Sequence, residues 1–567
     1  VYKRQLAGSR RGFSTMPVSY FRFSEALSPR SVEVVLAPST DAEVLLVDID
    51  PTSTSRGALY PTVTSTLAND EAWSPGHILA VAPYPGVVLA PSRSYAIVVT
   101  TDVRAEDGRP VERAGAIEMM SRNKQPSGKR GSEMTAVYAP LWQTLDQLGV
   151  ARERVAIASV FTTGDVVADL AERADRTQAN YSTTLEALSV DSVDGASHAR
   201  FCEIKGTATL PQFQTGEPPF ATGGLFEVDA DGIPVAQRTE MVPFTITIPR
   251  APMPSSGYPL MLYFHGSGAI SSDLVDRGRQ GIDGSIPTGT GPAHVIAEHG
   301  IAGFSAAMPL NPERLPGAVE QEYLNLANLA SFPGTFQQGV VESRLFVDAL
   351  LELEIPASVV SDCGLASGES IRFDGAKLVA SGQSMGGMYS NMVAATDRRV
   401  GAVVPTGAGG FWHWMLLGTE MFQDMDVILG LLFDSESPSL GFAHPGLSLL
   451  ALAWEPAEPM VYMPRVAARP LPGHPSRAVY QPLGLGDEYF PTHIYDAAVL
   501  AYGNQLAGDE VWPGTRDSLG IYGDDQAGNY PVVSNRTSAN GHSYTGVAVQ
   551  FASDGIRNGH YIATQLD

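Results

Sequence analysis

The sequence predicts an α/β fold: a mostly parallel sheet with helices on both faces, preceded by a β-rich, sandwich-like N-terminal domain. Three observations carry this. The chain has 567 residues, more than one hydrophobic core organises, so two or three domains are expected. Between about 31 and 121, short β-rich runs are broken by Pro- and Gly-containing turns. From about 240 onward, strand-like runs alternate with helical ones, the pattern of a parallel sheet with helices covering it.

In chain order, residues 1–30 read as a poorly structured leader. Residues 32–38 (VEVVLAP), 42–50 (AEVLLVDID) and 93–103 (RSYAIVVTTDV) read as strands of the N-terminal domain, with a turn at 105–111. Residues 122–239 form a mixed connecting region with helical patterning at 138–150 and 164–188. The α/β region at 240–567 follows. Strands are predicted within 244–250, 259–266, 301–310, 377–384, 398–409, 476–487 and 544–553. Helices are predicted at 293–300, 336–354, 388–396 and 492–505. An insertion at about 410–475 carries apolar runs with Trp412, Trp414, Met415 and Phe422, and is expected to form a helical cap.

Composition narrows the partners. Asp plus Glu outnumber Lys plus Arg by 61 to 37, and a net charge of −24 disfavours nucleic acid or an anionic membrane surface. No uninterrupted apolar stretch is long enough to cross a bilayer. No signal-like apolar run follows Lys3 and Arg4, and the address stays open, with a secreted or periplasmic setting the expectation. Cys202 and Cys363 are expected as buried small hydrophobes rather than a disulfide. No metal site or organic cofactor is expected, although acidic loops can hold calcium without a recognisable motif.

The chemistry centres on Gly382-Gln383-Ser384-Met385-Gly386. A serine between a strand and a helix sits on a tight turn, and the flanking glycines let two backbones pass closely. Such a turn lifts the hydroxyl above the sheet as a nucleophile. Strand 259–264 ends in His265-Gly266-Ser267-Gly268, a loop able to aim a backbone N–H at a substrate carbonyl oxygen. Ser267, or Gly268, and Met385 are the expected oxyanion donors, with His265 holding the loop in shape. An acid and then a histidine should follow on later strands. Asp487 is the expected acid, with Glu488 the runner-up and Asp496 less suitable. His560, beyond the last strand, is the expected base, because His542 precedes that strand and emerges at its other end.

HGSG, GQSMG, the Asp487 loop and the terminal GHY occur in one order over roughly 240–567, and in this the chain resembles the α/β-hydrolase superfamily. More loosely, the whole chain is similar to large bacterial lipase- or esterase-like proteins with a β-rich N-terminal domain. The resemblance implies a serine carboxylic-ester hydrolase using an acyl-enzyme, with hydrophobic or lipid-like esters as substrates. Trp412 and Trp414 are candidate substrate contacts. A peptidase, amidase or thioesterase with the same machinery is the near alternative, and a non-catalytic polymer- or surface-binding protein the distant one. Oligomeric state is not legible, and only seven residues follow His560 where a closing helix is expected.

Overall fold

The structure is a computed structural model that describes residues 10–365, 369–421, 424–435 and 440–565. Residues 1–9 of the expected leader, and Phe422 of the insertion, lie outside the described residues. The chain divides into two compact units. The first comprises 3–165 and 412–455, the second 166–411 and 456–567.

Unit 1 carries two four-stranded antiparallel sheets. One runs Ser19–Arg22, Ile78–Pro83, Thr62–Thr66 and Val35–Leu36; the other Leu59–Tyr60, Val44–Asp48, Ser94–Thr100 and Val155–Thr162. Successive side chains of a strand face opposite ways, and this decides the packing. Leu46, Tyr95, Ile97 and Val99 meet Phe21, Leu79 and Val81 of the other sheet. Leu45, Val47, Ala96 and Val98 face Leu141, Trp142 and Leu145 of the helix Gly131–Leu148. Both faces of the second sheet are therefore covered, which is why VLLV and AIVV read as unbroken apolar runs.

Three expectations about boundaries change. Residues 10–30 are not a loose leader: Ser19–Arg22 pairs in register with Ile78–Val81, and Phe21 is buried. The 122–239 region does not stand apart as a connector, since Val155–Thr162 completes the second sheet and 166 onward belongs to unit 2. The insertion at 410–475 splits between the units. Its 412–455 stretch goes with unit 1, where Tyr20 Oη donates to Ser448 Oγ at 2.6 Å and Trp73 Nε1 to Phe433 O at 2.6 Å. Glu455 is buried there, accepting from Ser14 Oγ at 2.9 Å and Thr15 N at 2.7 Å and pairing with Arg10. A buried carboxylate needs such partners, and residues 10–15 supply them.

Unit 2 is built on a ten-stranded sheet. Its strands are β1 (Leu185–Val190), β2 (Phe201–Gln212), β3 (Arg238–Pro249), β4 (Tyr258–Phe264), β5 (Ala302–Ala306), β6 (Phe373–Gln383), β7 (Val400–Thr406), β8 (Ala478–Gly484), β9 (Gln505–Leu506) and β10 (Gly546–Phe551). The order is β9-β10-β8-β7-β6-β4-β5-β3-β2-β1. β4 to β10 run parallel, and β3, β2 and β1 add an antiparallel edge. The helices used here are α1 (Val166–Asn180), α2 (Pro292–Glu298), α3 (Phe332–Glu352), α4 (Met385–Thr396), α5 (Pro459–Val466) and α6 (Thr492–Tyr502). All twelve residues of α4 are buried, so its small and apolar sequence has no solvent face to mark. The two cysteines are buried as expected but form a disulfide, Cys202 to Cys363, with Cα atoms 5.8 Å apart.

The order reverses at β4. From there the chain moves first outward to β5 and then back across to β6, β7 and β8. In an open parallel sheet such a reversal leaves a crevice beyond the carboxyl ends of the two strands that flank it. Here those strands are β4 and β6, paired through Phe264 opposite Gly382.

Candidate active site

Ser384 follows β6 directly and precedes α4, with φ 60° and ψ −128°. Positive φ on a side-chain-bearing residue is strained and persists only where the surroundings hold it. They do: Ser384 N donates to Thr406 O of β7 at 2.9 Å. Gly386 must be glycine, because a Cβ there would lie 1.9 Å from Phe264 O. The turn is thus clamped between the ends of β4 and β7.

His560 lies in a short 3-10 turn, Gly559–Thr564, beyond β10. That turn packs on the end of β8, where a Cβ at Gly484 would meet Gly559 O at 2.1 Å. His560 also lies against the residues beside Ser384. Gln383 Nε2 donates to His560 O at 3.2 Å, and a Cβ on Gly407 would stand 3.3 Å from His560 Nδ1. Asp487, three residues past β8, sits with Oδ2 2.9 Å from His560 Nδ1. Ser384, Asp487 and His560 are all buried, at 6%, 8% and 2% exposure.

The Asp487 carboxylate is saturated with donors. Oδ1 accepts from Tyr489 N at 2.7 Å and Phe490 N at 2.8 Å; Oδ2 accepts from Tyr495 Oη as well as His560. Burial, and then the Asp487 charge, push Tyr495 well above the usual phenol range, so it keeps its proton and donates. With Asp487 accepting, Nδ1 of His560 carries the hydrogen and Nε2 keeps its lone pair. The Tyr489 ring stacks on the imidazole with centroids 4.1 Å apart, and its hydroxyl donates to Glu320 at 2.6 Å.

The neighbouring carboxylates have other duties. Glu488 is exposed and accepts from Asn558 Nδ2 at 3.0 Å. Asp496 accepts from Trp512 Nε1 at 2.9 Å and Thr515 Oγ1 at 2.6 Å, and burial raises its carboxyl above the usual range. His542 is exposed, on the hairpin before β10.

The 265–268 loop has one free donor where two were weighed. Gly268 N donates to Asn311 Oδ1 at 2.8 Å. Among the described residues, the N–H groups of Ser267 and Met385 are engaged by no partner, the latter opening α4. His265 is wholly buried. Its Nε2 accepts from Met308 N at 3.0 Å, so Nδ1 carries the hydrogen and donates to Gly266 O at 2.8 Å. Burial lowers its pKa, which keeps it neutral, and both nitrogens are spent on shaping the loop.

No family model and no curated protein matches the chain. Among solved structures it is similar to acetyl xylan esterase 1 from Thermoanaerobacterium sp., at 12% identity over 68% of this chain and 88% of that one, TM-score 0.37. An acetyl xylan esterase from Paenibacillus sp. shares 15% identity over 59% and 83%, TM-score 0.34. A glucuronoyl esterase from Teredinibacter turnerae shares 12% over 65% and 73%, TM-score 0.31. These are distant likenesses.

Trp412 and Trp414 belong to unit 1, whereas Ser384, Asp487 and His560 belong to unit 2. Trp412 is fully buried, and Trp414 packs edge-on to Phe442 with centroids 5.1 Å apart. Tyr495, Gln383 and Asn311 escaped the sequence reading. Tyr495 lies on α6, eight residues past Asp487, and nothing in its local pattern separates it from a core aromatic. Among the described residues, one group has metal-ligand spacing, Asp194, His198 and Glu203, and it lies at β2, four strands from β6.

Proposed function

We propose that the protein is a serine hydrolase of the α/β-hydrolase type that cleaves carboxylic esters through an acyl-enzyme. The observation that carries this reading is the buried Asp487–His560 pair seated against the strained strand-to-helix turn that bears Ser384. In the mechanism, His560 Nε2 takes the Ser384 proton as Oγ attacks the ester carbonyl, and Asp487 steadies the imidazolium. The N–H groups of Ser267 and Met385 receive the oxyanion. His560 then protonates the leaving alcohol and, in the second half, activates the water that releases the acid.

The apolar runs of the 410–475 insertion are what support an ester with a hydrophobic acyl group as the substrate class. A series of p-nitrophenyl esters from acetate to decanoate, run beside matched anilides, tests both levels. Esters should turn over far faster than anilides, and a fluorophosphonate probe should label wild type but not Ser384→Ala. Background-level turnover by wild type, or turnover unchanged in Ser384→Ala, overturns the hydrolase reading. A kcat/KM that peaks at acetate overturns only the preference for hydrophobic acyl groups.

A further inference from the structure

The loop joining β1 to β2 brings three ligating side chains together at the antiparallel edge of the sheet. Asp194 and His198 come from the loop and Glu203 from the third position of β2, and one ligand atom from each lies within 4.8 Å of the others. Glu203 is 2% and His198 8% exposed; the Asp194 side chain retains 29%. The loop is firmly held. Asp191 N donates to Glu203 O at 3.0 Å, Glu203 N to Gly195 O at 3.0 Å, and Ser197 N to Asp194 O at 2.8 Å. Arg250 Nε donates to His198 O at 2.7 Å, the imidazole stacks on Phe201 at 4.5 Å, and Cys202 is tied to Cys363.

Two occupants fit between an imidazole and two carboxylates: a shared proton or a shared cation. The distances are long for the first and ordinary for the second. A charge-assisted N–H···O bond closes to about 2.7–2.9 Å, and the same chain achieves 2.9 Å between His560 and Asp487. His198 Nε2 stands 3.3 Å from Glu203 Oε2, a long hydrogen bond, and 3.6 Å from Asp194 Oδ1. A tetrahedral ion with bonds of about 2.0–2.2 Å sets its ligands about 3.3–3.6 Å apart, which the two spacings from His198 match, the spacing between the carboxylates lying within 4.8 Å. One ring N–H facing both carboxylates makes a weak three-centre bond at best, whereas one ion can accept all three ligands. Glu203 Oε1 is buried and accepts no hydrogen bond among the described residues. Its nearest cation is Lys205, with Nζ 3.6 Å away and already 3.0 Å from Asp191.

We propose that Asp194, His198 and Glu203 bind a divalent transition-metal ion of the zinc class, with water completing the coordination. The neutral imidazole selects against calcium and magnesium, which take oxygen ligands, and the two carboxylates balance the ion's charge. The ion ties the β1–β2 loop to the sheet edge and takes no part in the chemistry at Ser384.

The test uses full-length protein stripped with a chelator and titrated with Zn²⁺ against a competing indicator, then with Co²⁺ followed by visible absorption. One zinc per chain is expected, with a Co²⁺ spectrum of low coordination number. His198→Ala and Glu203→Gln should each weaken zinc by about 100-fold or more, while an unchanged far-ultraviolet circular dichroism spectrum reports that the variants are folded. Should either fail to fold, Asp194→Asn, on the more exposed ligand, carries the same expectation. Lys205→Gln should tighten zinc about fivefold or more by removing a competing charge. The absence of stoichiometric zinc in wild type, zinc bound equally by wild type and His198→Ala, or calcium preferred over zinc overturns the proposal.

Discussion

Replacing Asp487 by Asn tests how the base is held. The carboxylate receives four donors, two on each oxygen. An amide can satisfy the Tyr489 and Phe490 N–H groups only with its carbonyl oxygen, because those backbone donors cannot turn round. Its NH₂ group must then face Tyr495 and His560. The tyrosine hydroxyl can rotate and accept. The imidazole can accept only by moving its hydrogen from Nδ1 to Nε2, which removes the lone pair that would take the Ser384 proton. The fold loses little, about 1–2 kcal/mol for exchanged hydrogen bonds, whereas the base is in the wrong tautomer. A triad disabled this way loses about 10⁴ in kcat, or about 5.4 kcal/mol of barrier. The measurement is kcat on an activated ester with the melting temperature of both proteins recorded alongside. A kcat within tenfold of wild type, at unchanged melting temperature, refutes the tautomer argument and the assignment of Asp487 with it.

Gly386→Ala puts a methyl 1.9 Å from Phe264 O, backbone against backbone, so the turn must shift; fluorophosphonate labelling of Ser384 should slow by about 100-fold or more, and wild-type labelling would contradict the clamp. Cys363→Ser opens a cross-link spanning 161 residues, for which loop-closure entropy gives about 5 kcal/mol; the urea midpoint should fall sharply, and an unchanged midpoint counts against the disulfide. Acid stability has a defined sign. Burial holds His413 down to about 4 and also lowers His265, so the unfolded chain binds more protons below the ordinary histidine range. The stability these two imidazoles contribute is therefore fully present above about pH 6.5 and drains as the pH falls toward 4. His413 alone accounts for about 2.5 kcal/mol between pH 7.5 and 4.5. His413→Gln should flatten that slope in urea titrations, and an identical slope would rule His413 out.

What the sequence made legible was what local pattern encodes. β6, the Ser384 turn and α4 were readable because a strand, a tight Gly-flanked turn and a helix are all decided within about twenty residues. Direction then separated His560 from His542, since only the former follows β10. The strand β2 was missed for a physical reason. Its Gly206 and Pro211 argue against a strand, yet both pair in a twelve-residue ladder with β3, where Phe201 to Gln212 face Pro249 to Arg238. The apolar runs of 412–455 announced helices that must cover something, but a hydrophobic face does not name its partner. Asp487 and Glu488 are chemically near-equivalent neighbours, and only burial and hydrogen bonding distinguish them. Cys202 and Cys363 carry no pairing signal at their separation.

The imidazoles show why residue identity underdetermines chemistry while atom-level geometry constrains it. His265 has a donor on Nε2 and an acceptor at Nδ1, so neither nitrogen is open, and it can shape a loop but not move a proton. His560 has an acceptor at Nδ1, at 2.9 Å, which fixes the hydrogen there and leaves the lone pair on Nε2. His198 turns one nitrogen toward two carboxylates, hydrogen-bonded to Glu203 at 3.3 Å and 3.6 Å from Asp194. The loop support given by His265, and the roles proposed for His560 and His198, follow from which nitrogen is occupied and at what distance. The same reasoning makes each assignment separately vulnerable: moving the hydrogen of His560 with Asp487→Asn leaves His198 untouched, and removing His198 leaves the Asp487–His560 pair untouched.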